Sequence, residues 1–316
     1  MNNVRIYLTE NCNASCPWCF NKNTRNPELN MDTEKIKKLI DYLHAHKLPK
    51  FRIMGGEPTI HPDFVEIWNY ALGKFPKISL FTNGTQKDKL MQINIDKSVM
   101  VNFNFAFVNT PLDKDIYTKF DQSVTEVVIK KETDIQELID KITRVHKNAL
   151  ELNSYIKFNL TVDCTLDIFK YRKEMQEKLN TIFDFAIEHP DYYWGWDHSY
   201  PKCFLTEDLI QKMIAMKLPI MSPYPGSYLR NQCGSIAGCS ALVLSNFKLV
   251  HCNQYRNNSI DIFNPDGSII PYNEFSNFLK CEGLLKFESL RNSSCMRCKF
   301  FMSGCNGGCV AHKFKH

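Results

Sequence analysis

Three cysteines stand close together near the start of the chain, in the run Cys12-Asn13-Ala14-Ser15-Cys16-Pro17-Trp18-Cys19. At a C-x3-C-x2-C spacing, each thiolate can take one iron of a four-iron cluster. The fourth iron then lacks a protein ligand, and an open coordination position is what a catalytic metal needs. The next cysteine is Cys164, so nothing nearby closes the set. The competing reading is structural zinc, which wants four protein ligands and commonly starts with C-x2-C. Further on, the chain reads Gly55-Gly56-Glu57-Pro58. Glycines let a backbone approach a ligand closely, and a carboxylate or carbonyl can accept from an ammonium group.

A second cysteine group lies late in the chain. Eight of the 13 cysteines fall between Cys233 and Cys309. Cys233-x5-Cys239-x12-Cys252 is followed by Cys295-x2-Cys298-x6-Cys305-x3-Cys309, among short Gly- and Asn-rich turns. Helical periodicity weakens there, which predicts a small domain held together by metal. Four thiolates also suit a zinc ribbon. Cys281 reads equally as a ligand or a buried thiol, and Cys164 and Cys203 read as structural.

Composition narrows the setting. The chain is 44% hydrophobic and 23% charged, enough to bury a sizeable core. Its net charge of +5 is small against 39 basic and 34 acidic residues, and speaks against a nucleic-acid partner. The opening MNNVRIYLTEN shows no signal peptide. No stretch approaches the ~20 apolar residues of a membrane span. A cytoplasmic protein is expected, in which thiols stay reduced and cysteines serve as metal ligands.

The elements that must position these residues alternate between strand and helix. Val4 to Leu8, Phe51 to Met54, Ile78 to Phe81, Met100 to Phe107, Tyr155 to Val162 and Tyr192 to Trp196 read as strands. Asp32 can cap a helix carrying Ile36, Leu39, Ile40 and Leu43. Further helices are predicted over Asp63 to Leu72, around Ile135 to Val145, and near residues 170–188. Residues 108–131 read as a loop or lid. This alternation predicts parallel strands with right-handed crossovers, which bind ligands at the C-terminal strand ends. The Cys loop, the GGEP turn and the Thr82-Asn83-Gly84 turn would gather on one rim. Trp194 to Tyr200 reads as core packing before it reads as a substrate cleft. His44, His46 and His61 read as surface or capping residues.

C-x3-C-x-aromatic-C just after a first strand, with GGEP one βα unit later, resembles the radical SAM superfamily. The resemblance implies an α/β partial (β/α)6 TIM-like barrel over 1–200. A small C-terminal Cys-rich iron–sulfur domain would occupy 201–316. It implies a 4Fe-4S cluster on Cys12, Cys16 and Cys19, with S-adenosylmethionine (SAM) chelated at the open iron. It also implies SAM contacts from Trp18 (near the adenine), Gly55, Gly56, Glu57, Pro58, Asn83 and Asn104. Asn102 and Asn104 alternate with Phe103 and Phe105, as residues facing a barrel interior would. Loop packing remains open for Trp18, and an ordinary left-handed turn for Asn83-Gly84.

The late cysteines resemble the extension called SPASM, or its shorter twitch form, implying one or two auxiliary 4Fe-4S clusters. Cys233, Cys239, Cys252 and Cys309 would hold one. Cys295, Cys298 and Cys305 would hold a second, with Cys281, His312, substrate or an open site as fourth partner. The pattern departs from the family's by one extra residue between Cys298 and Cys305. It also has Phe247 where a glycine is expected, and lacks a final cysteine.

The implied chemistry is reductive cleavage of SAM to a 5′-deoxyadenosyl radical that abstracts hydrogen from substrate. An external flavodoxin- or ferredoxin-like donor would supply the electron. A peptide or protein substrate is the leading expectation, and small-molecule dehydrogenation the alternative. Asn253, where sulfatase-oxidising relatives have Asp, argues against that activity. The reading from another class is a non-catalytic iron–sulfur or zinc protein, which has no need of a GGEP turn.

Overall fold

The computed structural model describes residues 3–19, 21–22, 25–163, 166, 170–196, 205–218, 240–252 and 255–279. Of the late cysteines only Cys252 falls within these, and only its backbone is considered. Cys164, Cys203, Cys233, Cys239, Cys281, Cys295, Cys298, Cys305 and Cys309 lie outside, as do His312, Asn253 and 197–200. The described residues form two compact units. One runs to Asn104 and resumes at Ser240; the other runs from Phe105 to Leu218.

The first unit opens with β1 (Asn3–Thr9), α1 (Thr33–Ala45), β2 (Lys50–Gly55), α2 (Phe64–Ala71), β3 (Lys77–Thr82), α3 (Lys87–Gln92) and β4 (Val99–Asn104). The strands pair in parallel in this order. Their registers put Val4, Ile6, Phe51, Ile53, Ile78, Leu80 and Val101 on one face, all buried. That face is apolar because helices cover it. From α1 come Ile36, Leu39, Ile40 and Leu43, the four residues that helical periodicity selects. The Asp32 carboxylate accepts from the Lys35 N–H at 2.8 Å and starts the helix. The buried His61 ring then sets the entry to α2. Its Nδ1 accepts from Asp63 N–H, and its Nε2 lies 2.9 Å from the Met31 carbonyl. It serves as a buried cap, not a surface residue.

The second unit holds α4 (Lys114–Lys119), β5 (Gln122–Ile129), α5 (Ile135–Glu151), β6 (Tyr155–Val162), α6 (Arg172–Glu188), β7 (Tyr193–Trp196) and α7 (Glu207–Ala215). β5, β6 and β7 are parallel neighbours. Here two expectations are corrected. Residues 108–131 are not a loop: they contain α4, capped by Asp113, and the whole of β5. The buried positions of β5 are Ser123, Thr125, Val127 and Ile129. Two hydroxyl side chains on the inward face hide the apolar alternation that identifies a strand. The fourth strand also ends earlier than expected. Phe105–Phe107 is a 3-10 turn, and the Phe105 carbonyl accepts from Lys141 Nζ of α5 at 2.8 Å. Trp196 is buried, as core packing requires.

The chain then returns to the first unit with β8 (Ser240–Val243), β9 (Lys248–Cys252), β10 (Tyr255–Asp261) and α8 (Tyr272–Asn277). β8 runs parallel to β1, and β9 and β10 follow as an antiparallel pair. Part of the region expected to be a separate extension therefore continues the sheet of the first unit. The β8–β9 turn contains Phe247 at φ 61°. This is the position where the SPASM pattern has glycine. The left-handed backbone is present, but a phenylalanine adopts it, packed edge-on against Phe263 at 5.1 Å.

Candidate active site

The Cys loop leaves β1 at Thr9 and is fastened at its base. Glu10 N–H donates to the Leu29 carbonyl at 2.9 Å, and Met31 N–H to the Leu8 carbonyl at 2.9 Å. Thr9 Oγ1 accepts from Asn11 N–H at 3.0 Å. Cys12, Cys16 and Cys19 are half-buried and free of disulfides. Burial pushes the Cys12 and Cys16 thiols above the usual range. The neighbouring thiols add to this, and the Arg25 guanidinium opposes it. Loading a metal therefore displaces protons. Asn104 Nδ2 lies 3.9 Å from Cys16 Sγ, the separation of an N–H donating to sulfur. Trp18 is half-buried in the loop.

Among the described residues, no three His, Cys, Asp or Glu side chains are grouped to hold a single metal ion. A cluster does not require that, because each thiolate takes its own iron. Three soft, partly exposed donors on one loop, with an amide donor to sulfur and an arginine nearby, fit an iron–sulfur cluster.

The GGEP turn lies directly against this loop. Gly56 N–H donates to the Thr9 carbonyl and Glu57 N–H to the Asn11 carbonyl, both at 2.8 Å. A Cβ on Gly55 would sit 2.2 Å from Thr9 O, and one on Gly56 only 1.9 Å from Asn11 O. The glycines make room for the Cys loop's own backbone, a role that sequence assigned to a ligand.

Glu57 likewise has internal work. Its side chain is 1% exposed. Oε1 accepts from Thr59 N–H at 3.1 Å, Thr59 Oγ1 at 2.6 Å and Thr82 Oγ1 at 2.7 Å, and Oε2 from Asn83 N–H at 2.6 Å. Burial pushes its carboxyl up, and these four donors pull it back. Pro58 is buried and begins a 3-10 turn.

The turn after β3 closes the network. Asn83 Oδ1 accepts from Thr85 N–H and Oγ1, at 3.0 and 2.7 Å. Asn83 Nδ2 donates to Asn13 Oδ1, and Asn13 Nδ2 to Thr85 Oγ1, both at 2.8 Å. Gly84 has φ +77° and rests on the Phe103 ring. Asn102 is buried, with Nδ2 at 3.3 Å from Leu80 O. Three loops at successive strand ends are thus fastened to one another. Asn13, inside the cysteine run, is a latch that sequence reasoning missed. Its partners lie 70 and 72 residues away, and no local pattern marks it.

Soft donors on the loop after the first of several parallel strands, with the next two turns locked to it, make a candidate metal-cluster site in an α/β fold. The chain belongs to the radical SAM superfamily, whose family model matches residues 6–169. Enzymes of this family work with a 4Fe-4S cluster and SAM, so the chain is a radical SAM enzyme.

Curated relatives include a probable GTP 3′,8-cyclase of Pyrococcus horikoshii, 33% identical over 226 residues, which are 68% of this chain and 66% of the relative. The Pyrococcus abyssi counterpart is 28% identical over 65% of this chain and 64% of its own length. The antilisterial bacteriocin subtilosin biosynthesis protein AlbA of Bacillus subtilis is 25% identical over 56% of this chain and 45% of AlbA. The chain thus spans less than two thirds of these relatives' lengths. Among solved structures, Streptococcus suis SuiB bound to S-adenosylmethionine has a TM-score of 0.68 at 13% identity, covering 99% of this chain and 74% of SuiB. The structure described as anSMEcpe with bound AdoMet has a TM-score of 0.59 at 17% identity, covering 98% of this chain and 88% of the other. These last two are likenesses of fold. Among the described residues no helix is long and apolar enough to cross a membrane.

Proposed function

We propose that this radical SAM enzyme modifies a peptide or protein, and that residues 201–316 carry one or two auxiliary iron–sulfur clusters. Cys12, Cys16 and Cys19 each hold one iron of the SAM-binding cluster. Held by these three thiolates and reduced by an external donor, such a cluster would supply one-electron reduction of SAM, giving methionine and a 5′-deoxyadenosyl radical to accept hydrogen from the substrate. The protein's own part is to bind, orient and exclude water. Asn104 donates toward Cys16 Sγ, while Trp18 within the loop and Asn83 on the turn after β3 are candidate SAM contacts. The Glu57 carboxylate is engaged inside, and the Glu57 and Pro58 carbonyls accept from Ile60 and His61 N–H, so within this turn the Gly55 and Gly56 carbonyls are the candidate acceptors for the SAM amino group.

The observation that carries the substrate class is the late cysteine series from Cys233 to Cys309, in the pattern of the SPASM extension. The likeness to SuiB, also solved bound to precursor peptide SuiA, supports it, as does AlbA. A second reading is favoured by the two probable GTP cyclases: a nucleotide substrate. Oxidation of another small molecule is the remaining enzymatic alternative.

Iron and acid-labile sulfide per chain, after anaerobic reconstitution, test the proposal on wild type and the Cys12/Cys16/Cys19→Ala variant. About twelve irons falling to about eight supports the SPASM reading, whereas about eight falling to about four leaves one auxiliary cluster. Unchanged iron in the variant would remove these cysteines from the site. Formation of 5′-deoxyadenosine under dithionite, stimulated by GTP and not by candidate precursor peptides, would decide for the nucleotide.

A further inference from the structure

Arg256 of β10 reaches the base of the Cys loop from 246 residues away. Its Nη1 donates to Glu10 Oε1 at 2.7 Å and its Nη2 to Asn21 Oδ1 at 3.2 Å. Glu10 stands just before Cys12, and Asn21 just beyond Cys19. Asn21 Nδ2 in turn donates to the hydroxyl of Tyr7 at 3.1 Å, and the guanidinium lies 5.5 Å from the centre of that ring. Glu10 Oε2 also accepts from Asn26 N–H at 2.7 Å. The pair is desolvated: the side chains of Arg256 and Glu10 are 15% and 3% exposed.

We propose that Arg256 is a positioning residue for the SAM-cluster loop, holding both flanks of the cysteine triplet in one forked contact. The planar guanidinium suits this, because its donors form a rigid fork that two separate acceptors can share. A lysine offers the charge without the fork. The contact comes from the strand paired with the one that ends at Cys252, whose register partner is Tyr255. The loop that binds SAM is therefore held by the neighbourhood of a proposed auxiliary-cluster ligand. The inference rests on the cluster being bound by Cys12, Cys16 and Cys19.

The test uses the full-length, anaerobically reconstituted enzyme. Arg256→Met leaves a buried carboxylate without its cation, which is strongly destabilising; removing both charges is far milder. The informative variant is therefore Arg256→Met/Glu10→Gln, read beside Arg256→Lys. Lys248→Ala serves as control, since it removes the exposed Lys248–Asp261 pair of the same two strands.

Three quantities are measured: melting temperature, the low-temperature EPR signal of the reduced cluster with and without SAM, and KM for SAM against kcat. The double variant is expected to melt near wild type. It should nevertheless lose or broaden the SAM-induced EPR change and raise KM for SAM roughly tenfold or more. Arg256→Lys should fall between, and the control should match wild type. A double variant that melts normally, with wild-type EPR response and KM, would show a purely structural ion pair and overturn the proposal. No SAM-dependent EPR change in wild type would instead overturn the cluster reading beneath it.

Discussion

At the strand ends of the unit that begins the chain, polar side chains are buried and bonded to one another. In the unit that begins at Phe105, the polar pair Glu126 and Asn159 lies mid-strand on a half-exposed sheet face. Glu57 and Glu126 show the difference. The first carboxylate has four internal donors and almost no solvent contact. The second is half-exposed on β5 and accepts from Asn159 Nδ2 of β6 at 2.6 Å. A buried, satisfied network fixes one arrangement, because each donor it loses stays unpaired away from water. The first three loops are thereby preorganised before any cofactor arrives. The sheet face around Glu126 is partly open to solvent, which can replace a lost partner there.

The largest expected effect is at Gly56. Gly56→Ala places a Cβ against the Asn11 carbonyl, and should cost about 3 kcal/mol or more by separating the turn from the Cys loop. Chemical denaturation measures it, and a near-neutral result would show that the loops are not interlocked. Next comes the carboxylate pair. Glu57→Gln should cost about 2–3 kcal/mol, because its amide would face the Asn83 N–H as a second donor. Glu126→Gln keeps an acceptor for Asn159 and should stay within about 0.5 kcal/mol. Equal effects at the two sites would end the contrast between the units.

A smaller loss is expected at the latch. Asn13→Ala removes the hydrogen bonds to Asn83 and Thr85 at an exposed position, costing about 1 kcal/mol. Because it frees the cysteine run from the third turn, a rise in KM for SAM should accompany it in steady-state kinetics.

The smallest effect is a pH dependence at His61, whose pKa burial holds below 6.5. The unfolded chain then takes up a proton before the folded one does. Its contribution to stability is full above pH 6.5 and is lost as pH falls through the lowered folded value. The melting temperature of His61→Gln should therefore decline less than that of wild type on acidification below pH 6.5. Parallel declines would show that His61 is not the group responsible.

Legibility in the sequence followed the range of the interaction. The α1 face and β6 were readable because their signals repeat within one element. β5 was not, because Ser123 and Thr125 occupy inward positions that periodicity expects to be apolar. The cysteine triplet stands out as a candidate ligand set, since thiol chemistry and spacing are local. The residues that hold the triplet in place do not.

By itself the sequence determined the family, through the resemblance of its cysteine and GGEP motifs to the superfamily whose model matches residues 6–169, and it named the cysteines and the strand ends as candidates for the site. Tertiary structure alone decided that the glycines of GGEP face the Cys loop's backbone, and that Glu57 clamps the third turn. It alone joined Asn13 to Asn83 and Arg256 to Glu10. The physical reason is common to all four: a close approach or a satisfied buried polar group depends on its partner. Here each partner is brought near by sheet pairing across tens to hundreds of residues, where no local pattern records it.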